Sequence, residues 1–458
     1  MATWNQTSLA NLGRYATLSA DYYLPEYAGA DMRLKKIKGM VVPLRVCVQP
    51  EYPITYGVLK PREVAESRFR MARIQNSENL FIYGEDLPQI SPVQFEEYKR
   101  SEVRSGDIVI AIGGYIGPIG IICDDDGNRI NINRHLARLS PDQKKVEPYY
   151  LLTYLVSDTS QALLMREIRG AVQAGINLAD LRLHPIFLPK PDQQIEVAKL
   201  VKAAELCMGS SRVYYSQALK ILEATLNLHE IQFDRPVGYA TSFAELESSR
   251  RSDAQHFQPR FTQLISHLSK FPNRRIRQTR RVNRRGMQPV YVEDGSYAVV
   301  NSQHLGPKHI NYDGLQRTTE KLFNAAPEAH ISKDDLLIYT TGAYIGRTNV
   351  YLDDTPAFAS NHVNILRLSP DIDHAYMAMV FQSVIGRFQT QKYVRGSAQA
   401  ELYPADIDKF VVPILPSEKQ QEIGNLVRES LAQQRKSARL LGQAKARVEQ
   451  LIEEALEA

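Results

Sequence analysis

The chain has 458 residues, 43% hydrophobic and 23% charged, which excludes disordered and collagen-like classes and suits a folded protein of several domains. A net charge of +5 is mild: it permits an acidic partner such as nucleic acid without requiring one. The cysteines, Cys47, Cys123 and Cys207, lie far apart and form no CxxC pair, which argues against a disulfide framework or a zinc site and for a reducing, cytoplasmic setting.

The opening, Met1-Ala-Thr-Trp-Asn-Gln6, lacks the charged-then-apolar order of a signal peptide. Lys35, Lys36 and Lys38 form one basic cluster and Arg68, Arg70 and Arg73 another; each is either a nucleic-acid contact or a solvated face. The apolar run from Ile108 to Cys123 is too short for a membrane span and is broken by glycines and Pro118, so it reads as two buried strands. Within it Tyr115 sits in a glycine-bracketed loop, facing either a ligand or a turn that it closes. Asp124-Asp-Asp126 precedes Gly127-Asn128 and reads as a turn rather than a metal site. Tyr149–Ile168 predicts a helix and Ile186–Leu188 a strand.

A long helix follows Pro191, with Asp192 as cap and apolar or small residues at Val197, Val201, Ala204, Met208, Ser211, Tyr215, Ala218 and Leu222. Gly209-Ser-Ser211 is a candidate kink. Seven arginines without an acid occupy Arg274 to Arg285, at 274, 275, 277, 280, 281, 284 and 285. The planar fork of Arg matches phosphate and guanine edges, so this run is a DNA-contact candidate, the alternative being a solvated face. Tyr297–Val300 reads as a strand, after which Gln303, His304 and Lys308 stand within reach of base edges. Leu336–Tyr339 and Phe410–Ile414 predict strands and Ala375–Gln391 a helix, with Tyr344 and Arg347 in another glycine loop. The final helix starts at Ser417 after Pro416, with Gln420 at capping-box spacing and a seam of Val427, Leu431, Ala438, Leu441, Val448 and Ile452 that Gln434 interrupts.

The chain is written twice. Tyr115-Ile-Gly117 returns as Tyr344-Ile-Gly346, and Arg138-Leu-Ser-Pro141 as Arg367-Leu-Ser-Pro370, both 229 residues later. Arg169-Gly-Ala-Val-Gln173 returns as Arg395-Gly-Ser-Ala-Gln399, and Asp192-Gln-Gln-Ile195 as Gln420-Gln-Glu-Ile423. Ala20-Asp-Tyr-Tyr-Leu-Pro25 is echoed by Ser252-Asp-Ala-Gln-His-Phe-Gln-Pro259. The period is too long for a solenoid. The expected architecture is α+β: a domain over residues 1–190, a long helix over 191–229, a second domain over 230–416 and a second helix over 417–458. Helices this long with one apolar seam need a partner, and the economical arrangement pairs them as an antiparallel coiled coil. The alternative packs each helix on its own domain. Phosphate-loop, dinucleotide, amino-methyltransferase, metalloprotease and serine-hydrolase signatures are missing.

This order of domain, helix, domain, helix resembles the specificity subunit of Type I restriction-modification systems. The motifs that carry the resemblance are Ser105-Gly-Asp-Ile with Tyr-Ile-Gly117, Arg169-Gly through Leu181, and Ile186-Phe-Leu-Pro before Asp192-Gln-Gln-Ile, with their second-copy counterparts. The second copy lacks the glycine before Asp107, having Asp334 before Asp335, which leaves that loop's geometry open. The resemblance implies a non-catalytic subunit with two target-recognition domains, each reading half of a split site in double-stranded DNA. It implies methyltransferase subunits, two of them, docked on the helices, using S-adenosylmethionine to modify adenine. Restriction subunits using ATP and magnesium join them in full complexes. No cofactor is expected on this chain, and no membrane contact. Base-reading positions do not transfer, so the DNA-binding candidates rest on composition: the seven arginines, Lys35, Lys36, Lys38, Arg68, Arg70, Arg73, Tyr115, Gln303, Tyr344 and Arg347. The coiled-coil and partner candidates are Val197, Val201, Ala204, Tyr215, Leu222, Val427, Leu431, Leu441, Val448 and Ile452. The same residues also fit a system whose partner both cuts and methylates, a self-sufficient DNA-modifying enzyme, or a helical scaffold that never binds DNA.

Overall fold

The computed structural model describes residues 19–57, 67–77, 80–124, 127–170, 174–234, 236–396 and 400–457. The opening Met1–Gln6, part of the Asp124–Asp126 run and the centres of the two Arg-Gly repeats fall outside these. The chain forms two compact units. One holds Met1–Met208 with Arg435–Ala458, the other Gly209–Gln434. The limits of these units lie inside the two long helices, Pro191–Thr225 and Ser417–Glu457. Among the described residues no helix is long and apolar enough to cross a membrane.

The β-branched runs form strands because both faces are covered. In the first unit Ile108–Ala111 pairs antiparallel with Ile119–Cys123, Ile108 opposite Ile121, and on its other side with Leu136–Leu139. Thr55–Tyr56 closes one edge of this sheet and Phe81–Tyr83 the other. The second unit repeats the order: Arg280–Arg285, Val363–Leu368, Leu336–Tyr339, Thr348–Val350. Each unit has another sheet with a parallel pair at its heart, Phe69–Ala72 with Arg129–Ile132 and Tyr297–Val300 with Ala357–Ala359. The antiparallel pairs Val41–Pro43 with Pro185–Phe187, and Asn273–Arg275 with Val411–Pro413, complete the correspondence.

Each predicted mid-domain helix is two helices. Pro148–Leu155 and Asp158–Arg166 meet at Ser157, and His374–Gln382 and Val384–Tyr393 meet at Ser383. The serine hydroxyl caps the second helix in both, accepting from the Ser160 and Ile385 amides. Helical periodicity is blind to such a break because both segments stay apolar. The Asp334 loop keeps the geometry of its glycine counterpart: Gly106 has φ +87° and Asp334 φ +71°. The Asp107 and Asp335 carboxylates accept from the Arg104 and Ser332 amides, so the turn is closed identically. Asp tolerates the left-handed region well enough to replace glycine there.

The long helices run Pro191–Thr225 and Ser417–Glu457, the first starting at Pro191 itself and passing unbroken through Gly209. The Gln194 side chain donates to Pro189 O and accepts from Glu147 N; Gln420 does the same with Leu415 O and Asp373 N. The burial pattern of the second helix corrects its expected seam. Ile423, Val427, Ser430, Gln434, Ser437, Leu441, Ala444, Val448 and Leu451 face inward at steps of four and three, while Ala438 is exposed. A hydrophobicity reading skips the two serines and Gln434 and drifts off phase.

In the first unit Val197, Val201 and Ala204 share a core with Ala444, Val448 and Ile452, and Leu441 lies half-buried beside it. Ser437 donates to Ala204 O at 2.8 Å and Arg447 pairs with Glu196 at 3.0 Å, an antiparallel arrangement. In the second unit Ala218 and Leu222 share a core with Ile423 and Val427, and Tyr215 and Leu431 are half-buried against it. There Ser430 donates to Ser211 O at 2.8 Å. Each helix also packs on a domain: Lys202 pairs with Glu147 at 3.1 Å and Arg428 with Asp373 at 2.7 Å. Leu222→Ala is expected to lower the unfolding free energy of the second unit by about 2–5 kcal/mol. Ala438→Ser, on the exposed face, should stay within about 0.5 kcal/mol of wild type. Urea denaturation of both variants checks the seam, and equal losses would refute its phase.

Candidate nucleic-acid interface

The arginine run lies on Asn273–Arg275, a short helix over Ile276–Thr279, and the edge strand Arg280–Arg285. Acids absent from the run arrive from later in the chain. Arg274 pairs with Asp371 at 3.1 Å, Arg280 donates to Asp408 at 2.8 Å, and Arg285 lies 3.7 Å from Glu401 with its guanidinium over the Tyr403 ring. Arg284 donates to Pro327 O at 3.0 Å. Arg275, Arg277 and Arg281 are exposed and form no ion pair among the described residues. Arg281 stands at the register shift between Arg280 and Val282, where a bulge re-aims a side chain.

One further candidate, Tyr344, lies on a loop tied to this strand, whereas Arg347 and Gln303 lie near Leu305. Arg395 and Glu401 exchange backbone hydrogen bonds of 2.8 and 2.7 Å, forming a clasp. Glu401 bridges to Thr341, at the start of the loop that carries Tyr344, and Arg285 donates to Leu402 O. The Arg347 guanidinium lies 3.7 Å over the Tyr344 ring and donates to Leu305 O. Gln303 is exposed in the turn Ser302–His304, two residues from Leu305. His304 is buried, and burial lowers its pKa.

The first unit is less concentrated. Tyr115 lies on the equivalent loop, whose Gly113 bridges to Gly175, itself bridged to Arg169 in the equivalent clasp. Lys35 pairs with Asp31 at 2.8 Å, and Lys36 and Lys38 are exposed at the end of the helix Pro25–Lys36. Arg68 lies over the Phe69 ring, and Arg70 donates to Leu87 O, both largely structural uses. The Arg73 amide donates to the Asn76 side chain, and the next residue, Ile74, lies against Gly114. Asp124 accepts from Asn128 at 2.9 Å, and among the described residues no cluster of metal-ligating side chains exists.

Sequence reasoning missed these Arg-centred clasps as scaffold. Arg395 and Lys409 both bind the buried carboxylate of Asp406, at 2.8 and 2.7 Å; in the first unit Arg169 lies 3.5 Å from Asp180. Arg251 caps the preceding helix by donating to Tyr393 O and Val394 O. The 226-residue offset shared by Arg169/Arg395 and Asp180/Asp406 was the available signal. Burial pushes the Asp406 pKa up, but hydrogen bonds and charge from Arg395 and Lys409 outweigh it and hold the group below the ordinary carboxylate range. Its stabilisation is therefore complete above the unfolded carboxyl pKa, about 3.9, and is lost as pH falls through the lower folded value. Asp406→Asn should cost about 1–3 kcal/mol at pH 7, toward the low end because both cations are half-exposed. That cost should shrink below about pH 4; a cost unchanged at pH 3 would remove the linkage.

A family model described as the Type I restriction modification DNA specificity domain matches residues 60–208 and again residues 290–431, together more than half of the chain. The Type I restriction enzyme EcoBI specificity subunit of Escherichia coli is 31% identical over 155 residues, 34% of this chain. That match spans 32% of the relative's own length. The crystal structure of a Type I restriction-modification S subunit from M. genitalium aligns over 91% of this chain and 95% of its own, at 12% identity and a TM-score of 0.41. The HsdS subunit from Thermoanaerobacter tengcongensis aligns over 90% and 96%, at 16% identity and a TM-score of 0.29. By the double match of the family model, the chain belongs to the Type I restriction modification DNA specificity domain family and carries that domain twice.

Proposed function

We propose that this chain is the DNA sequence-specificity subunit of a Type I restriction-modification complex. Each domain reads one half of a split site in double-stranded DNA, and the chain itself catalyses nothing. The observation that carries this reading is the presence of two specificity domains on one chain, each with its own sheets and core. Phosphate contacts give affinity and register, while groove contacts from each domain give sequence. Methyltransferase subunits bound to the chain modify adenine with S-adenosylmethionine, and restriction subunits using ATP and magnesium complete the assembly.

The helices suit two roles here. Val197, Val201, Ala204, Leu222, Val427, Val448 and Ile452 are buried within the chain, so their faces are not available to another subunit. Within the first unit Ile195 and Leu206 remain exposed on the first helix, and at 100° per residue they fall on one face. Exposed apolar residues of this kind suit a docked protein subunit. The helices also act as a ruler for the gap between half-sites.

Mapping methylated adenines in cells with and without the gene tests the function. One bipartite motif should vanish with the gene, and a methylation pattern untouched by its loss would overturn the proposal. Seven residues added to each long helix keep the heptad phase and extend the pair by about 10 Å. The methylated motif should then widen by about three base pairs; an unaltered gap rules out the ruler. Salt dependence separates the arginines. Replacing Arg275, Arg277 and Arg281 with Gln should flatten the slope of log affinity against log salt by up to about 0.9 for each phosphate that these side chains neutralise. Replacing Arg274, Arg280 and Arg285 should chiefly reduce stability, and the reverse assignment would exclude the free trio from the interface.

A further inference from the structure

The triplet Tyr-Ile-Gly survives at the same place in both domains although most residues around it have diverged. Two of its members have structural explanations. Ile116 and Ile345 pack against the two main cores. Gly117 and Gly346 have φ of +110° and +90°, and a Cβ would come within 2.6 Å of Met165 in the first and of Thr390 in the second. The tyrosines are only lightly held: Tyr115 is 67% and Tyr344 55% exposed, Tyr344 meeting the Tyr339 ring edge-on and the Arg347 guanidinium face-on. Among the described residues neither hydroxyl has a hydrogen-bond partner, and deleting either ring would open no cavity in a core.

Single exposed aromatics are ordinary. The same exposed aromatic on the same loop of both copies points to a ligand feature common to both domains. The sugar–phosphate backbone is such a feature, being the same whatever the base sequence. The surroundings suit an anion. Arg347 stacks on Tyr344 at 3.7 Å and directs one N–H of its five-donor guanidinium to Leu305 O. Beside the first loop Arg134 donates to His135, whose ring lies against Gly113. Each loop is also tied down by a backbone bridge, Gly113 to Gly175 or Thr341 to Glu401, so the tyrosine is held on a braced element.

We propose that Tyr115 and Tyr344 are paired backbone anchors, each donating its phenol hydroxyl to a DNA phosphate with the ring against the sugar, and fixing the register of its domain without reading sequence. This rests on the DNA-reading function proposed above. Tyrosine is among the side chains that serve such positioning contacts.

The test uses the chain assembled with its methyltransferase subunits, titrated with a duplex bearing the mapped site and with an unrelated duplex. Tyr115→Ala and Tyr344→Ala should each weaken binding to both duplexes by a similar factor, about 3–10-fold for removing one hydrogen bond and the ring that packs beside it. Tyr115→Phe and Tyr344→Phe retain the ring and the Arg347 stack, and should show most of the hydroxyl's share with an unchanged melting temperature. The methylated motif should stay the same. Affinities equal to wild type overturn the proposal, as does a loss confined to the specific duplex, which would mean base reading. Loss of methyltransferase subunits from the variant complex overturns it too, by making the tyrosines a protein-docking feature. A wild-type complex that binds neither duplex overturns the function itself, which sets that failure apart from one of the tyrosines alone.

Discussion

The pairing of the long helices is the constraint on which both units depend. An isolated helix of 41 residues with one apolar seam is poorly stable in water, and the last 24 residues of the chain belong to the first unit, far from it in sequence. Ala444, Val448, Leu451 and Ile452 sit in the same core as Tyr150, Tyr154 and Phe187. Thr159 donates to Glu449 through both its amide and its hydroxyl. The first domain therefore cannot finish its core until the segment from Arg435 onward is made. In each unit the seam carries small residues, Ala204 and Ser437 in the first and Ser211 and Ser430 in the second: Ser437 donates to Ala204 O, and Ser430 donates to Ser211 O while its hydroxyl also lies 3.0 Å from that of Ser211. Small side chains let backbones approach, and the hydrogen bonds satisfy what burial would otherwise leave unpaired.

Duplication leaves its mark most clearly in the polar joints. Tyr150 donates to Phe187 O and Tyr376 to Pro413 O, both pairs separated by 37 residues. Glu147 and Asp373 cap the helices that carry these tyrosines, and both also accept a cation from a long helix. A buried hydroxyl or carboxylate must find its partner in a fixed direction, so it tolerates drift less than a methyl group does. Where the copies do diverge, the same residue changes employment. Arg138 donates to the carbonyls of Arg100 and Glu102, whereas its counterpart Arg367 pairs with Asp335.

The same directional demand explains how much of the molecule was legible in its sequence. The strands at 108–111 and 336–339, the order of motifs and the two long helices were legible because each is a local pattern or a repeat. The seam of the final helix was only half legible, since serine and glutamine occupy inward positions. The break at Ser157 and Ser383 was hidden within apolar surroundings. The arginine run was legible as charge but not as function, because its counter-ions Asp371, Glu401 and Asp408 lie about 100 residues downstream, beyond any local window. Exposure was the other missing quantity: Tyr115 and Tyr344 could be named from the sequence, but only their solvent-facing rings separate them from the isoleucine and glycine beside them.

On the function proposed, a two-domain reader has to solve two problems with one fold: each domain must hold its path along the duplex, and each must read its own sequence. The duplicated set, the helix caps, Arg-centred clasps and exposed tyrosines, suits the first task, since what is retained in both copies does not distinguish one domain from the other. What is not shared is the added edge strand Phe81–Tyr83 in one unit and the Arg317–Thr318 ribbon in the other, together with the arginines of the edge strand Arg280–Arg285, whose counterpart Thr55–Tyr56 has none. These strands lie at sheet edges but still contribute buried side chains, Phe81, Ile82 and Thr318, so a change of target falls to their exposed positions rather than to these.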